Sequence, residues 1–216
     1  MANVLLGVTG SVAAIKVPEL YAALRQAGHA VRVVATKAAT YFFDPAAIEP
    51  LPGGGRNPAV VSLDEDEWPG ARYARGDDVL HIELRRWGEL LLLAPLDANT
   101  LAKLAGGLAD NCLTCVYRAW DPARPVVLAP AMNTYMWQHP LTARHLRQLA
   151  ADAGAPAPEG VALEELPGWI NERCPRLRVA APETKELACG DVGVGAMAGV
   201  GHLVAVVGRA LATAIP

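Results

Sequence analysis

The sequence predicts an α/β protein in one domain, residues 1–216, built on an open, doubly wound sheet of parallel strands with helices over both faces. Three observations carry this expectation. Short apolar runs such as Leu90–Ala94 lack polar alternation, as strands do when helices cover both faces. Small or capping residues follow the runs, and apolar positions at helical spacing follow those. The third is composition: 52% of the 216 residues are hydrophobic and 19% charged, which suits one large core and not a disordered chain.

Asn3–Val8 is the first strand, stopped by Gly10-Ser11. Ser11 suits the cap of a helix whose apolar positions include Val12, Ile15, Leu20 and Leu24. Pro18 predicts a kink there, or a short first turn with the main helix restarting. Ala27-Gly28-His29 ends that helix, and Ala30–Ala35 is the second strand. Residues 44–78, rich in Pro, Gly and Asp and holding the acidic run Asp64–Glu67, read mostly as loop. Leu90–Ala94 is the third strand, and the helical segments Asn99–Leu108 and Asn111–Trp120 are split by Gly106-Gly107. Pro125–Pro130 is the fourth strand and Thr142–Ala153 a helix. Residues 155–177, with prolines at 156, 158, 167 and 175, read as a surface insertion or irregular loop. Arg178–Ala181 is a candidate fifth strand and His202–Ala214 a closing helix.

In such sheets ligands bind beyond the carboxyl ends of the strands. Thr9–Val12, Thr36–Phe43, Pro95–Thr100 and Pro130–Trp137 all follow strands and are expected along one rim. Charge narrows the partners. With 19 basic and 22 acidic residues the net charge is -3, so no electrostatic attraction to nucleic acid or anionic lipid is expected. The longest apolar stretch, Leu90–Leu96, is too short to cross a bilayer. No secretory signal is read, and four cysteines do not make a disulfide framework, so the expected compartment is the cytoplasm.

Several segments carry candidate chemistry. Gly7-Val-Thr-Gly-Ser-Val-Ala follows a strand and opens a helix, where Gly10 admits close backbone approach and Ser11 with the first amides suits a phosphate. A plain strand-to-helix turn explains it equally, and the spacing is not that of a dinucleotide fingerprint. Asp97-Ala98-Asn99-Thr100 reads as a helix cap unless it shares the rim. Cys112-Leu-Thr-Cys115 lacks a second ligand pair and reads as packing thiols, with no metal expected. In Pro130-Ala-Met-Asn-Thr-Tyr-Met-Trp137 the methionines and tryptophan suit packing, whereas the Asn133 amide suits a carboxylate. His81-Ile-Glu-Leu-Arg-Arg-Trp87 sets an imidazole near two guanidiniums. Residues 184–199 hold Cys189, with three glycines within Leu187–Met197, as in a flexible flap over a substrate or an inert loop.

The strings GSVAAIK, DEDEW, HIELRRW, APLDANT, AGGLADN, TCVYRAWD, PAMNTYMW and LACGD, in this order, resemble the flavin-containing cysteine decarboxylases, and within them the phosphopantothenoylcysteine branch. The resemblance implies a flavodoxin-like subunit, a homotrimer with FMN at the subunit interfaces, and 4′-phosphopantothenoylcysteine as substrate. It places Gly10, Ser11, Val12, Thr36, Phe42, Asp97, Ala98, Asn99, Thr100 and Ala131 at the flavin. It makes His81 the base, presented from a neighbouring subunit, and Cys189 the proton donor. Asn133 would hold the substrate carboxylate, with Arg86, Met132 and Met197 beside the substrate. Ala38 and Ala39 stand where many relatives carry serines, and Asp97 where some carry Ser. Lys185-Glu186 occupies the place of a more basic pair.

The chemistry agrees with these roles. Direct loss of CO₂ from cysteine leaves an unstabilised carbanion. Oxidising the thiol-bearing carbon to C=S gives those electrons an acceptor, and a flavin supplies such two-electron chemistry. Two rivals stand beside this reading: a decarboxylase of C-terminal peptide cysteines, which PAMNTYMW fits less well, and a non-catalytic relative that regulates a protein phosphatase. The joint presence of His81, Asn133 and Cys189 favours catalysis.

Overall fold

A computed structural model describes residues 1–70, 72–186 and 192–213. Six parallel strands form the main sheet: β1 (Asn3–Val8), β2 (Ala30–Ala35), β3 (Val61–Ser62), β4 (Leu90–Leu96), β5 (Val126–Pro130) and β6 (Leu177–Val179). Their spatial order is β3-β2-β1-β4-β5-β6, so the winding reverses between β1 and β4. Ligands of doubly wound sheets bind at such a reversal. Without the two-residue edge strand β3 the order is that of flavodoxin-like folds.

The nine α-helices of the described residues are α1 (Val17–Gln26), α2 (Asp64–Glu67), α3 (Leu80–Trp87), α4 (Ala98–Gly106), α5 (Cys112–Arg118), α6 (Thr134–Gln138), α7 (Pro140–Asp152), α8 (Leu166–Arg173) and α9 (Val200–Ala212). Two apolar layers result, one on each face of the sheet. On one face Leu20 and Leu24 of α1 and Leu203 and Val207 of α9 pack with Val4, Leu6 and Val8. On the other, Leu84, Leu113, Leu146 and Ile170 from α3, α5, α7 and α8 pack with Leu5, Leu91 and Leu93. This two-sided cover is why β4 is buried at every position.

The first helical segment behaves as Pro18 predicts. Ser11 caps a 3-10 turn over Val12–Lys16, and α1 begins at Val17 with the proline in its first turn. The stretch 44–78 is mostly loop, as read, and contains the short β3 and α2. One expectation needs correction: 155–177 is more than a surface insertion or irregular loop. The stretch 155–177 contains α8, whose Leu166 and Ile170 are fully buried in the second layer, so this part of it belongs to the core. Val12 and Ile15 do not pack inward; they are 42% and 60% exposed.

Beyond the main sheet, β7 (Glu183–Glu186) and β8 (Val192–Ala196) pair antiparallel across the stretch read as a flap. Cys189 lies outside the described residues.

Candidate functional site

The carboxyl ends of β1, β2 and β5 and the β7–β8 hairpin surround a cavity of about 440 Å³. Of the residues singled out from the sequence, Gly10, Ser11, Val12, Phe42, Ala131, Met132, Asn133 and Met197 line it. Its walls are mostly apolar, with Ile15 beside Val12, and Lys16 and Lys185 supply cations. The exposed Val12 and Ile15 therefore form part of a cavity wall.

The strand reversal is closed by one carboxylate. Asp97 caps α4, accepting from Thr100 N at 2.6 Å through Oδ1. Its Oδ2 accepts from Gly10 N at 3.1 Å, and its own N–H donates to Thr9 Oγ1 at 2.7 Å. The Gly10 amide is thus engaged by Asp97, which leaves the phosphate reading to Ser11 and the first amides of the following turn. The glycine is needed for another reason: a Cβ at position 10 would lie 2.6 Å from the Ala38 methyl and 3.2 Å from Asp97 Oδ2. Ser11 Oγ accepts from Ala13 N at 3.4 Å as the cap of the 3-10 turn. Asp97, Ala98, Asn99 and Thr100 are at the reversal and do not line the cavity, and Thr36 is buried behind it.

Asn133 shows how a cap also orients a side chain. Its Oδ1 accepts from Met136 N at 2.8 Å at the start of α6. A helix N–H demands the acceptor end of the amide, which leaves the Nδ2 donors for a ligand. The loop carrying it is held on both sides: Ala131 N donates to Leu96 O at 2.9 Å and Met132 N to Gly195 O at 3.0 Å. The hairpin can approach this closely because β8 carries glycines. A Cβ at Gly195, whose φ is +145°, would sit 2.1 Å from Met132 O, and one at Gly193 would sit 2.1 Å from Thr134 Oγ1. Glu183 of β7 pairs with Lys185 and accepts from Gly199 N at 2.8 Å at the start of α9.

His81 and Arg86 lie on α3 and do not line the cavity of their own chain. Glu67 grips His81: Oε1 is 2.6 Å from Nδ1, and Oε2 accepts from His81 N at 2.9 Å. The acidic run around Glu67 is a set of specific contacts. Asp64 accepts from Cys112 N and Lys37 N at 3.0 and 3.3 Å. Asp66 takes Arg56 in a two-pronged pair at 2.5 and 2.9 Å. Burial and the nearby Glu67 and Asp64 carboxylates push the Cys112 thiol far up, and burial raises Cys115, so both remain protonated. This accords with packing thiols. Glu67 and Asp66 were not singled out from the sequence; the three-residue spacing of Asp64 and Glu67, which puts both on one side of a helical turn, is the signal that points to them.

The sheet order and the rim cavity define a flavodoxin-like protein, and the chain belongs to the Flavoprotein family, whose profile matches residues 1–212. Its named relatives lie in a particular branch of that family. The chain is 45% identical over 204 residues to phosphopantothenoylcysteine decarboxylase of Mus musculus, covering 94% of this chain and 84% of the mouse protein. A solved PPC decarboxylase, a cysteine-to-serine mutant complexed with pantothenoylaminoethenethiol, superposes with a TM-score of 0.74 at 42% identity, covering 96% of this chain and 97% of that one. The FMN binding protein AtHal3 superposes with a TM-score of 0.71 at 43% identity, covering 96% of this chain and 95% of its own.

Proposed function

We propose that this chain is an FMN-dependent carboxy-lyase that converts 4′-phosphopantothenoylcysteine into 4′-phosphopantetheine, a step of coenzyme A synthesis. The observation that carries the reading is the cavity itself: apolar walls at Val12, Ile15, Phe42 and Met197 beside an Asn133 amide whose donors are left for an anion. The walls suit a flat ring system, and Lys16 and Lys185 suit its charged tail or a substrate phosphate. Kinship with the named decarboxylases supports the substrate.

Bound FMN supplies a hydride acceptor and donor. Asn133 holds the substrate carboxylate and so fixes the bond to be broken. His81 takes the thiol proton when the thiol-bearing carbon gives up a hydride, producing C=S. CO₂ departs and its bonding electrons enter that C=S, leaving an enethiolate. Cys189 delivers a proton to the carbon that lost CO₂, beside the thiol-bearing carbon to which bound FMN would return the hydride. Met132 and Met197 wall the substrate, and Arg86 supports it electrostatically. His81 and Arg86 reach the cavity from a neighbouring chain of a homotrimer. Their absence from the cavity of their own chain supports this arrangement, as do the exposed apolar side chains of Ile15, Tyr135 and Met136. The proposed compartment is the cytoplasm, where four cysteines without a disulfide framework would stay reduced. Among the described residues no helix is long and apolar enough to cross a membrane.

The test is the purified protein's visible spectrum combined with product mass. Flavin bands near one per chain, CO₂ release and 4′-phosphopantetheine are expected, with a trimer in sedimentation. A colourless protein, or one that acts only on peptides ending in cysteine, would overturn the proposal.

Asn133→Asp separates binding from folding. Asp retains the acceptor for Met136 N, so the melting temperature should stay within a few degrees of wild type. It replaces amide donors with a carboxylate facing the substrate's own, and kcat/KM is expected to fall by about 10²- to 10³-fold, since pairing like charges while losing a charged hydrogen bond removes roughly 3–4 kcal/mol. Steady-state kinetics check it; unchanged kcat/KM would exclude Asn133 from carboxylate binding.

A further inference from the structure

The four acidic residues of α2 look like a solvated run in the sequence, yet the last of them is nearly enclosed. The Glu67 side chain is only 5% exposed, whereas His81 keeps 23% of its side-chain surface exposed. Both Glu67 oxygens meet the same residue, one at the ring and one at the backbone N–H. The carboxylate is held from three directions. Its helix is pinned through Asp64 to the start of α5 and through Asp66 to Arg56. The protonated Cys112 thiol faces it from α5. It also sits at the start of α3, where a negative charge is favoured by the helix dipole.

An ionised carboxylate accepts and never donates. At 2.6 Å from Nδ1 it therefore calls for the proton on that nitrogen, and the lone pair of a neutral ring is then on Nε2. The second contact, to the backbone of the same residue, stops the carboxylate from swinging away with the ring. Once Nε2 has taken a proton, the same charge lies against the imidazolium and steadies it.

We propose that Glu67 is a positioning residue that sets the tautomer and orientation of His81, so that Nε2 is the nitrogen presented to the substrate proton. The inference rests on His81 being the base. It also explains why a buried acid sits in the segment just before α3: without it the ring would rotate and its two nitrogens would compete for the proton.

Glu67→Gln is the informative change because it is nearly isosteric. A single amide oxygen serves the His81 N–H, and the amide NH₂ is turned toward Nδ1, which must then accept. The tautomer reverses. Nitrogen NMR of the holoprotein, recorded at alkaline pH so that the ring is neutral, reads this directly; the His81 signals are assigned as those missing from His81→Asn among five histidines. The wild type is expected to carry the proton on Nδ1 and Glu67→Gln on Nε2. Turnover by Glu67→Gln is expected to fall about 10- to 100-fold in kcat with KM changed less than threefold, the usual scale for partners that orient a working imidazole. Glu67→Asp keeps the charge with a shorter reach, so it should restore the wild-type tautomer and part of the rate. A wild-type ring protonated on Nε2, or Glu67→Gln turning over within twofold of wild type, would overturn the inference, and the wild-type spectrum decides it even if Glu67→Gln does not fold. Full activity of His81→Asn would instead overturn the assignment of the base.

Discussion

His81→Asn is expected to give a folded, yellow protein whose turnover is lower by about 10²- to 10⁴-fold, the contribution typical of a positioned general base. Each tenfold loss corresponds to about 1.4 kcal/mol of barrier, so the expected change is roughly 3–6 kcal/mol. The fold should survive because His81 N, which donates to Glu67 Oε2, is backbone and remains. The shorter amide also offers a donor to the same carboxylate. Flavin absorbance, sedimentation and melting should therefore match wild type while product formation does not. Substantial turnover at neutral pH would remove His81 from the mechanism.

Cys189→Ser is expected to release CO₂ about once per site and then stall. On the proposed mechanism departure of CO₂ needs only the C=S acceptor, which forms before the Cys189 thiol acts. Completing the saturated product needs a proton at the carbon that lost CO₂, and a serine hydroxyl is too weak an acid to replace the thiol. Mass spectrometry should find a product two hydrogens short of 4′-phosphopantetheine. The flavin colour should stay bleached under anaerobic conditions. Cys115→Ser serves as a control and should turn over normally, since burial keeps that thiol protonated. Full conversion to the saturated product by Cys189→Ser would mean that another group donates the proton.

What was legible in the sequence follows from how each element is stabilised. β1, β2, β4 and β5 are apolar because both faces are covered, so their runs mark them directly. β3 is two residues among Pro and Gly and leaves no such mark. α2 is held by ion pairs and side-chain hydrogen bonds to Arg56, Lys37, Cys112 and His81, none of which is adjacent in sequence. α8 was hidden by its prolines, yet Pro167 falls in its first turn, where a missing N–H does no harm. In the site, rim segments were readable because strand ends converge whatever the loops contain. The use of the Gly10 amide was not, because its acceptor, Asp97, is 87 residues away. The Glu67–His81 contact likewise depends on a turn of chain that brings residues 14 apart together.

The sheet ends on β3 and β6, strands of two and three residues. Long bare edges invite chains to add strand to strand, and edges this short offer few unpaired backbone groups for that route. Growth of the sheet from one molecule to the next is thereby discouraged. Chains that associate must do so through side-chain surfaces, and several of the exposed apolar ones, Val12, Ile15, Tyr41 and Met136, lie on or next to segments that line the cavity. Resistance to fibrous growth and the choice of contact face thus share one feature: with little to pair at the borders, part of the sticky ground that is left lies beside the cavity.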